Sequence, residues 1–163
     1  ILSQVARRAT TKIVRRCPFG QCVKQSYRIC SVSVEDASKV ASSFSTALYA
    51  ILVGCHLKLE GEFSSKTLNP NQSVQGGQMT SMLDDITSLL LIYESKGSIY
   101  PSSTNLHSVH HRPLFKGKAI ATAEMVMFGK NIATIKGELY NLEGKLATTL
   151  IHSVFLIKKV FKL

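Results

Sequence analysis

Residues 76–93, GGQMTSMLDDITSLLLIY, carry the pattern that decides the fold of this chain. Apolar side chains recur there every three or four residues: Met79, Met82, Leu83, Ile86, Leu89, Leu90 and Tyr93. A stripe of this kind follows one face of an α-helix over about five turns. The segment therefore predicts a long amphipathic helix whose apolar face is buried against the rest of the domain.

The segments on either side of this helix have the two-residue period of half-buried strands. In CHLKLEGEF, residues 55–63, leucines, a glycine and a phenylalanine alternate with lysine and glutamates. Four further strand segments follow the helix: SSTNLHSVHHR, KAIATAEMVMF, IATIKGELY and LATTLIHSVFLIKK. Short, turn-rich gaps separate the later ones and favour antiparallel hairpins. The sequence predicts an α+β fold, with one long central helix wrapped by an antiparallel sheet of about five strands.

The basic charge of the chain lies at its N-terminus. Of the 20 lysines and arginines, seven fall within residues 1–34, which hold no acid, so the remainder carries 13 cations against 10 acids. An arginine-rich, acid-free, amphipathic segment is typical of a mitochondrial transit peptide. We predict a basic arm at 1–33, one domain at 34–163 opening with a helix at 33–48, and a location in the mitochondrial matrix. A basic tail that contacts RNA or an anionic membrane is the alternative reading of the arm.

Composition argues against several other classes of protein. The longest apolar run is about a dozen residues, short of a membrane span, so none is predicted. The domain's own charge of about +3, without an aromatic and basic platform, makes nucleic-acid binding unlikely as a function. No metal site is predicted, because the histidines at 107, 110 and 111 have no acid or thiol near them in sequence.

Two features of the helix segment suggest chemistry. Gly76 and Gly77 at its start would leave backbone N–H groups converging at the positive end of the helix dipole, where they can stabilise an oxyanion or serve as a plain turn. Asp84 falls almost opposite the apolar stripe, near Thr87 and Leu91, and is solvated surface or a general base. Because these neighbours are uncharged, unlike those of an ordinary exposed helix face, we predict that Asp84 faces away from its own sheet and is covered by a second subunit.

The register of Asn69, Gly76 and Asp84 within this order of elements resembles the acyl-CoA thioesterases of the hotdog superfamily, especially the thioesterase 13 and phenylacetate-pathway types. The resemblance covers residues 48–158. It implies that the Gly76 N–H forms an oxyanion hole and that Asp84 activates water. Asn69 and Ser103 would position the water and the thioester, and a homodimer or dimer of dimers would combine the glycine loop of one subunit with the acid of another.

The same resemblance places Gln75, Gly77 and Ser102 at the substrate, with Ser102 an alternative to Ser103 as the family's serine. Relatives usually carry histidine where this chain has Gln75, which leaves hydrogen bonding but removes imidazole chemistry. The implied activity is hydrolysis of a fatty or aryl acyl-CoA, with coenzyme A as part of the substrate and no other cofactor. The alternative is a hotdog subunit of reduced activity with a structural role in a larger mitochondrial assembly.

Overall fold

The computed structural model describes residues 47–53 and 55–158 of the 163-residue chain. The elements follow in the order β1 (Ala47–Val53), β2 (His56–Phe63), a 3-10 turn (Ser65–Thr67), α1 (Gly76–Glu94), β3 (Ile99–His110), β4 (Gly117–Phe128), β5 (Ile132–Asn141) and β6 (Leu146–Lys158). The predicted arm at 1–33 and most of the predicted helix at 33–48 lie outside the described residues. Within those residues, no helix combines the length and the apolar character that a membrane crossing requires.

All six strands form one antiparallel sheet in the order β1-β2-β4-β5-β6-β3. Tight connections join β4, β5 and β6 into neighbouring hairpins, as their short turn-rich gaps predicted. The α1 segment carries the chain from β2 to the opposite edge, where β3 pairs with β6. The predicted α+β hotdog architecture is confirmed.

The sheet starts earlier than the sequence predicted. Residues 47–53, ALYAILV, form β1 and pair with β2, whereas the last two residues of the predicted helix, 47 and 48, fall in this strand. A continuous apolar run without polar alternation fits a strand or a buried helix equally well by periodicity. Pairing with β2 settles the outcome, because only an extended segment can satisfy the outer backbone groups of that strand.

The predicted stripe on α1 forms the centre of the core. Met79, Met82, Leu83, Ile86 and Leu90 are at most 4% exposed. Every second residue of β2 and β5 faces this stripe, as the alternation in the sequence predicted. These inward residues are Leu57, Leu59, Gly61, Phe63, Ala133, Ile135, Gly137 and Leu139. Each large apolar side chain buried in this way contributes about 1.5–3 kcal/mol to stability.

The other side of α1 is also covered, and by the same chain. Thr87 and Leu91 are fully buried, and the Thr80 hydroxyl donates to Ser108 Oγ on β3 at 3.1 Å. Helix α1 contacts β2, β4, β5, β6 and β3, because the twisted sheet curls about it. The prediction that Asp84 faces away from its own sheet is therefore wrong, because Ser103 on β3 and His152 on β6 lie against its carboxylate. The Asp84 side chain stays 34% exposed, and its cover by a second subunit stays a prediction.

Gly137 on β5 marks the closest approach of sheet and helix. A Cβ at this position would lie 3.2 Å from Thr87 Cγ2 and 3.3 Å from Leu83 Cδ2. Contacts this short leave no room for a branched side chain unless α1 moves away from the sheet.

Gly137→Val is accordingly expected to lower the free energy of unfolding by about 1–3 kcal/mol, because the added methyl groups overpack the contact with α1. Chemical denaturation measures the loss. Thr134→Val is the matched control: position 134 belongs to the same strand but faces the opposite side of the sheet, and its effect should stay within about 0.5 kcal/mol. Equal losses in both variants would contradict the close approach.

Candidate active site

The loop before α1 is shaped by Asn69. Its Nδ2 donates to Ser73 Oγ at 2.8 Å, and its Oδ1 accepts from the backbone N–H groups of Asn71 and Ser73 at 2.9 and 3.2 Å. The Val74 N–H donates to the Leu114 carbonyl at 2.8 Å, which ties the loop to the segment before β4. In the described structure, the Asn69 side chain therefore fixes the path of the chain toward Gly76.

Gln75 is the N-cap of α1 and the glycine pair forms its first turn. The Gln75 backbone is extended, its side chain is exposed, and no hydrogen bond joins that side chain to the helix end. The N–H groups of Gly76 and Gly77 lie in the first turn of the helix, where no helical carbonyl four positions back can accept their hydrogen bonds. These two donors lie at the positive end of the helix dipole, as an oxyanion site requires.

An imidazole that the sequence reasoning did not place at the site lies directly against Gly76. A Cβ on Gly76 would be 2.9 Å from His110 Nε2. His110 Nδ1 lies 3.1 Å from the Thr148 hydroxyl, which also lies 3.4 Å from Met79 Sδ, and Nε2 points to the helix start. The glycine makes room for this ring, and His110 and Gly76 line the same open cleft of about 310 Å³.

The Asp84 carboxylate belongs to a second polar cluster, on the side of α1 that faces β3. Ser103 Oγ donates to Asp84 Oδ1 at 3.2 Å, and the Asp84 side chain remains 34% exposed. The structure thus brings together two of the residues that the sequence singled out. Ser103 makes this contact, whereas Ser102 precedes it on β3 and pairs with Phe155.

His152 and Thr87 complete this cluster and were not identified from the sequence. His152 is fully buried; its Nε2 lies 2.9 Å from Ser103 Oγ and 3.3 Å from Asp84 Oδ1, and its Nδ1 lies 2.7 Å from Thr87 Oγ1. Burial lowers the pKa of the His152 imidazole, although the Asp84 carboxylate acts to raise it, so the fold favours the neutral ring. The alternation of β6 is the sequence signal that could have placed it in the core: position 152 points inward, between the inward residues Leu150 and Val154.

Gly76 and Asp84 of one chain do not face a common point. Eight residues separate them along α1, a rise of about 12 Å. A reacting carbonyl must lie about 3 Å from its oxyanion donors and close to the attacking water. Each chain therefore holds two separate clusters, which we call half-sites: one contains Gly76 and His110, and the other contains Asp84, Ser103 and His152.

The described residues contain no group of side chains arranged as metal ligands. Across residues 47–53 and 55–158, no three His, Cys, Asp or Glu side chains come together as metal ligands. His110 and His111 instead bond to the neighbouring hydroxyls of Thr148 and Thr149.

The solved structures that are similar to this chain belong to the thioesterase superfamily. No protein-family model matches the chain, and no curated protein matches it by sequence. The fold is that of the hotdog thioesterase superfamily, which confirms the resemblance noted in the sequence.

Three of the similar structures show how far the likeness extends. A phenylacetic acid degradation-related protein from Ralstonia eutropha is 25% identical, with a TM-score of 0.64 over 76% of this chain and 91% of its own. A hypothetical thioesterase from Streptococcus pneumoniae, solved with coenzyme A, is 16% identical, with a TM-score of 0.68 over 78% and 98%. Zebra fish thioesterase superfamily member 2 is 19% identical, with a TM-score of 0.62 over 67% and 80%.

The buried imidazole makes stability depend on pH in a direction that can be measured. Since the pKa of His152 is lowered in the fold from the ordinary value of 6.5, its full contribution is present above pH 6.5 and is lost as the pH falls toward the folded-state pKa. Urea unfolding at about pH 7.5 and about pH 5.5 should show this loss in the native protein. His152→Gln has no ring to titrate and should lose less over the same interval; equal losses would contradict a neutral buried imidazole.

Proposed function

We propose that this protein is a thioester hydrolase that converts a fatty or aryl acyl-CoA to the free acid and coenzyme A. The observation that carries the proposal is the Asp84–Ser103 pair, a partly exposed carboxylate bonded to a hydroxyl on the central helix of a hotdog fold. The N–H groups of Gly76 and Gly77 at the start of the same helix supply the complementary group. Among the similar structures, two are from phenylacetic acid degradation and two were solved with coenzyme A, which supports a CoA ester as substrate.

The chemistry assigned to these groups is direct attack by water. Asp84 accepts a proton from a water molecule as the water oxygen bonds to the thioester carbon. The carbonyl oxygen gains negative charge, which the Gly76 N–H stabilises. When the tetrahedral intermediate collapses, the carbon–sulfur bond breaks, and the thiolate of coenzyme A leaves and takes up a proton. Ser103 orients the carboxylate and the water, Asn69 holds the glycine loop, and Gln75 and Gly77 border the substrate.

A homodimer would unite the two half-sites. Among the described strands, β3 pairs only with β6, and the proposed dimer forms when a second copy pairs with the other edge of this 12-residue strand. Helix α1 runs beside β3 with Asp84 near Ser103, Thr80 near Ser108 and Gly76 near His110. Antiparallel pairing of β3 with its copy, about a two-fold axis between residues 106 and 107, sets Ser103 opposite His110 of the second copy. That pairing brings Asp84 toward the glycine loop of the other subunit.

The second candidate function is a structural subunit of a mitochondrial assembly. Gln75 carries no imidazole at the helix cap, and the basic segment at 1–33 is typical of a matrix-targeting sequence. In this reading the hotdog domain keeps its fold and its pairing edge while catalysis is reduced. Location in the matrix is part of both proposals.

Free thiol release from a panel of short, long and aryl acyl-CoA esters tests the activity. The native protein should turn over at least one of these esters, and Asp84→Asn should lower kcat by about 10²- to 10⁴-fold, since an amide cannot accept the proton. Asp85→Asn, one residue along the helix, is the matched control and should keep most of the activity. Absence of turnover on every ester by the native protein would favour the structural subunit.

Mixed subunits test the composite site. Gly76→Pro deletes the N–H while the helix start tolerates proline, because position 76 is the first helical residue and the Gln75 backbone is already extended. Asp84→Asn and Gly76→Pro should each be inactive alone. Re-associated in equal amounts, they should recover about a quarter of native activity, since half of the dimers then hold one intact site.

Gly76→Ala controls for the side-chain contact in that experiment. It meets His110 in the same place but keeps the N–H, so its activity should exceed that of Gly76→Pro. A mixture that stays inactive, although both variants dimerise, would show that the site does not combine two subunits.

A further inference from the structure

The buried imidazole of His152 occupies a position where an apolar residue would be the ordinary choice. It lies on β6 among inward residues of the core, is fully buried, and bonds at both ring nitrogens. A polar ring in such a place costs stability unless both nitrogens are satisfied. Each of its partners belongs to the face of α1 or β3 that carries the Asp84 half-site.

The protons in this cluster can be assigned from the chemistry of its members. A carboxylate only accepts hydrogen bonds, so the single Ser103 proton is donated to Asp84 Oδ1 at 3.2 Å. The Ser103 oxygen must then accept at its 2.9 Å contact with His152 Nε2, which places the proton of the neutral ring on Nε2.

The other end of the ring follows from the same assignment. A neutral imidazole has one N–H group, so with Nε2 as the donor, Nδ1 must accept at its 2.7 Å contact with the Thr87 hydroxyl. The single Thr87 proton is then directed to Nδ1 and not to the Leu83 carbonyl, which also lies 2.7 Å from Oγ1. The donors thus point in one direction, from Thr87 to His152, from His152 to Ser103, and from Ser103 to Asp84. Every donor in this series of hydrogen bonds therefore points toward the Asp84 carboxylate.

The same geometry separates this cluster from a serine nucleophile with its base. In that arrangement a carboxylate bonds Nδ1 and leaves Nε2 free to take the serine proton. Here Thr87 bonds Nδ1, while Asp84 and Ser103 both lie at Nε2. The Ser103 proton therefore goes to the carboxylate and not to the ring.

We propose that His152 is a positioning residue for hydrolysis at the Asp84 half-site, whose Nε2–H holds the Ser103 hydroxyl in the orientation that donates to Asp84. This proposal rests on the proposed thioesterase function. His152 acts through Ser103 and does not touch the substrate, since it has no exposed surface. With Oδ1 engaged in this way, the second carboxylate oxygen is the one left to accept the proton of the attacking water.

Two variants separate positioning from simple packing. His152→Gln keeps an amide N–H close to the place of Nε2–H, whereas His152→Leu removes every donor. Thr87 remains satisfied in the leucine variant, because its hydroxyl lies 2.7 Å from the Leu83 carbonyl. Thermal unfolding establishes that each variant is folded before its kinetics are compared.

His152→Leu is expected to lower kcat by about 10- to 100-fold with little change in KM, because a misdirected Ser103 no longer aligns the carboxylate and water. His152→Gln should recover most of the native kcat. If both folded variants lose kcat equally, or neither loses it, the positioning role is overturned.

A readout that needs no substrate keeps this proposal distinct from the thioesterase itself. Nitrogen-15 NMR of the native protein should show His152 as the neutral ring with its proton on Nε2. A proton on Nδ1, or an acyl group found on Ser103 by mass spectrometry after incubation with an acyl-CoA, overturns the proposal. Native protein that shows the Nε2 proton but hydrolyses no acyl-CoA ester would refute the thioesterase function while supporting the hydrogen-bonding arrangement.

Discussion

The enclosure of α1 by a single curled sheet is the constraint on which the rest of the structure depends. The apolar stripe of the helix lies in the core, while Thr87 beside it contacts Gly137 on β5 and His152 on β6, and Asp84 bonds to Ser103 on β3. Gly137 lets the sheet approach the helix to van der Waals distance. Because the helix is held from both sides, it cannot slide or rotate without opening the core, and every group it carries is fixed relative to β3.

This fixed helix sets the separation between the two sets of chemical groups. Its first turn holds the backbone donors of Gly76 and Gly77, and two turns later it carries Asp84. Strand β3 runs beside it in the opposite direction and adds a side chain to each set, His110 at the glycines and Ser103 at the acid. Since the helix keeps the two sets about 12 Å apart, one chain cannot close both around a single carbonyl. The proposed hydrolytic site therefore calls for a second copy of the chain.

The polar groups inside this enclosure are bonded to one another rather than left to solvent. Thr87, Thr148 and His152 are fully buried, and among the described residues no buried side-chain nitrogen or oxygen lacks a hydrogen-bond partner. Satisfied networks of this kind hold their members in one geometry, because any rearrangement leaves a buried donor or acceptor without a partner. The Asp84 half-site is built on such a network, whereas Gln75 at the other half-site is exposed and makes no side-chain bond to the helix end.

The sequence by itself determined the helix at 76–94 and the later strands, because hydrophobic periods of 3.6 and 2 follow directly from backbone geometry. It also placed Asp84 and Ser103 in one site through the resemblance of their spacing. Tertiary structure decided what periodicity cannot encode: the uniform apolar run at 47–53 became a strand only by pairing with β2. The cover over Thr87 came from sheet curvature, and His110 and His152 reached their half-sites only through contacts between elements distant in sequence. A helical projection gives the direction of each side chain but not the element it meets, which is why Asp84 was expected to face away from its own sheet and instead lies against Ser103 on β3 and His152 on β6.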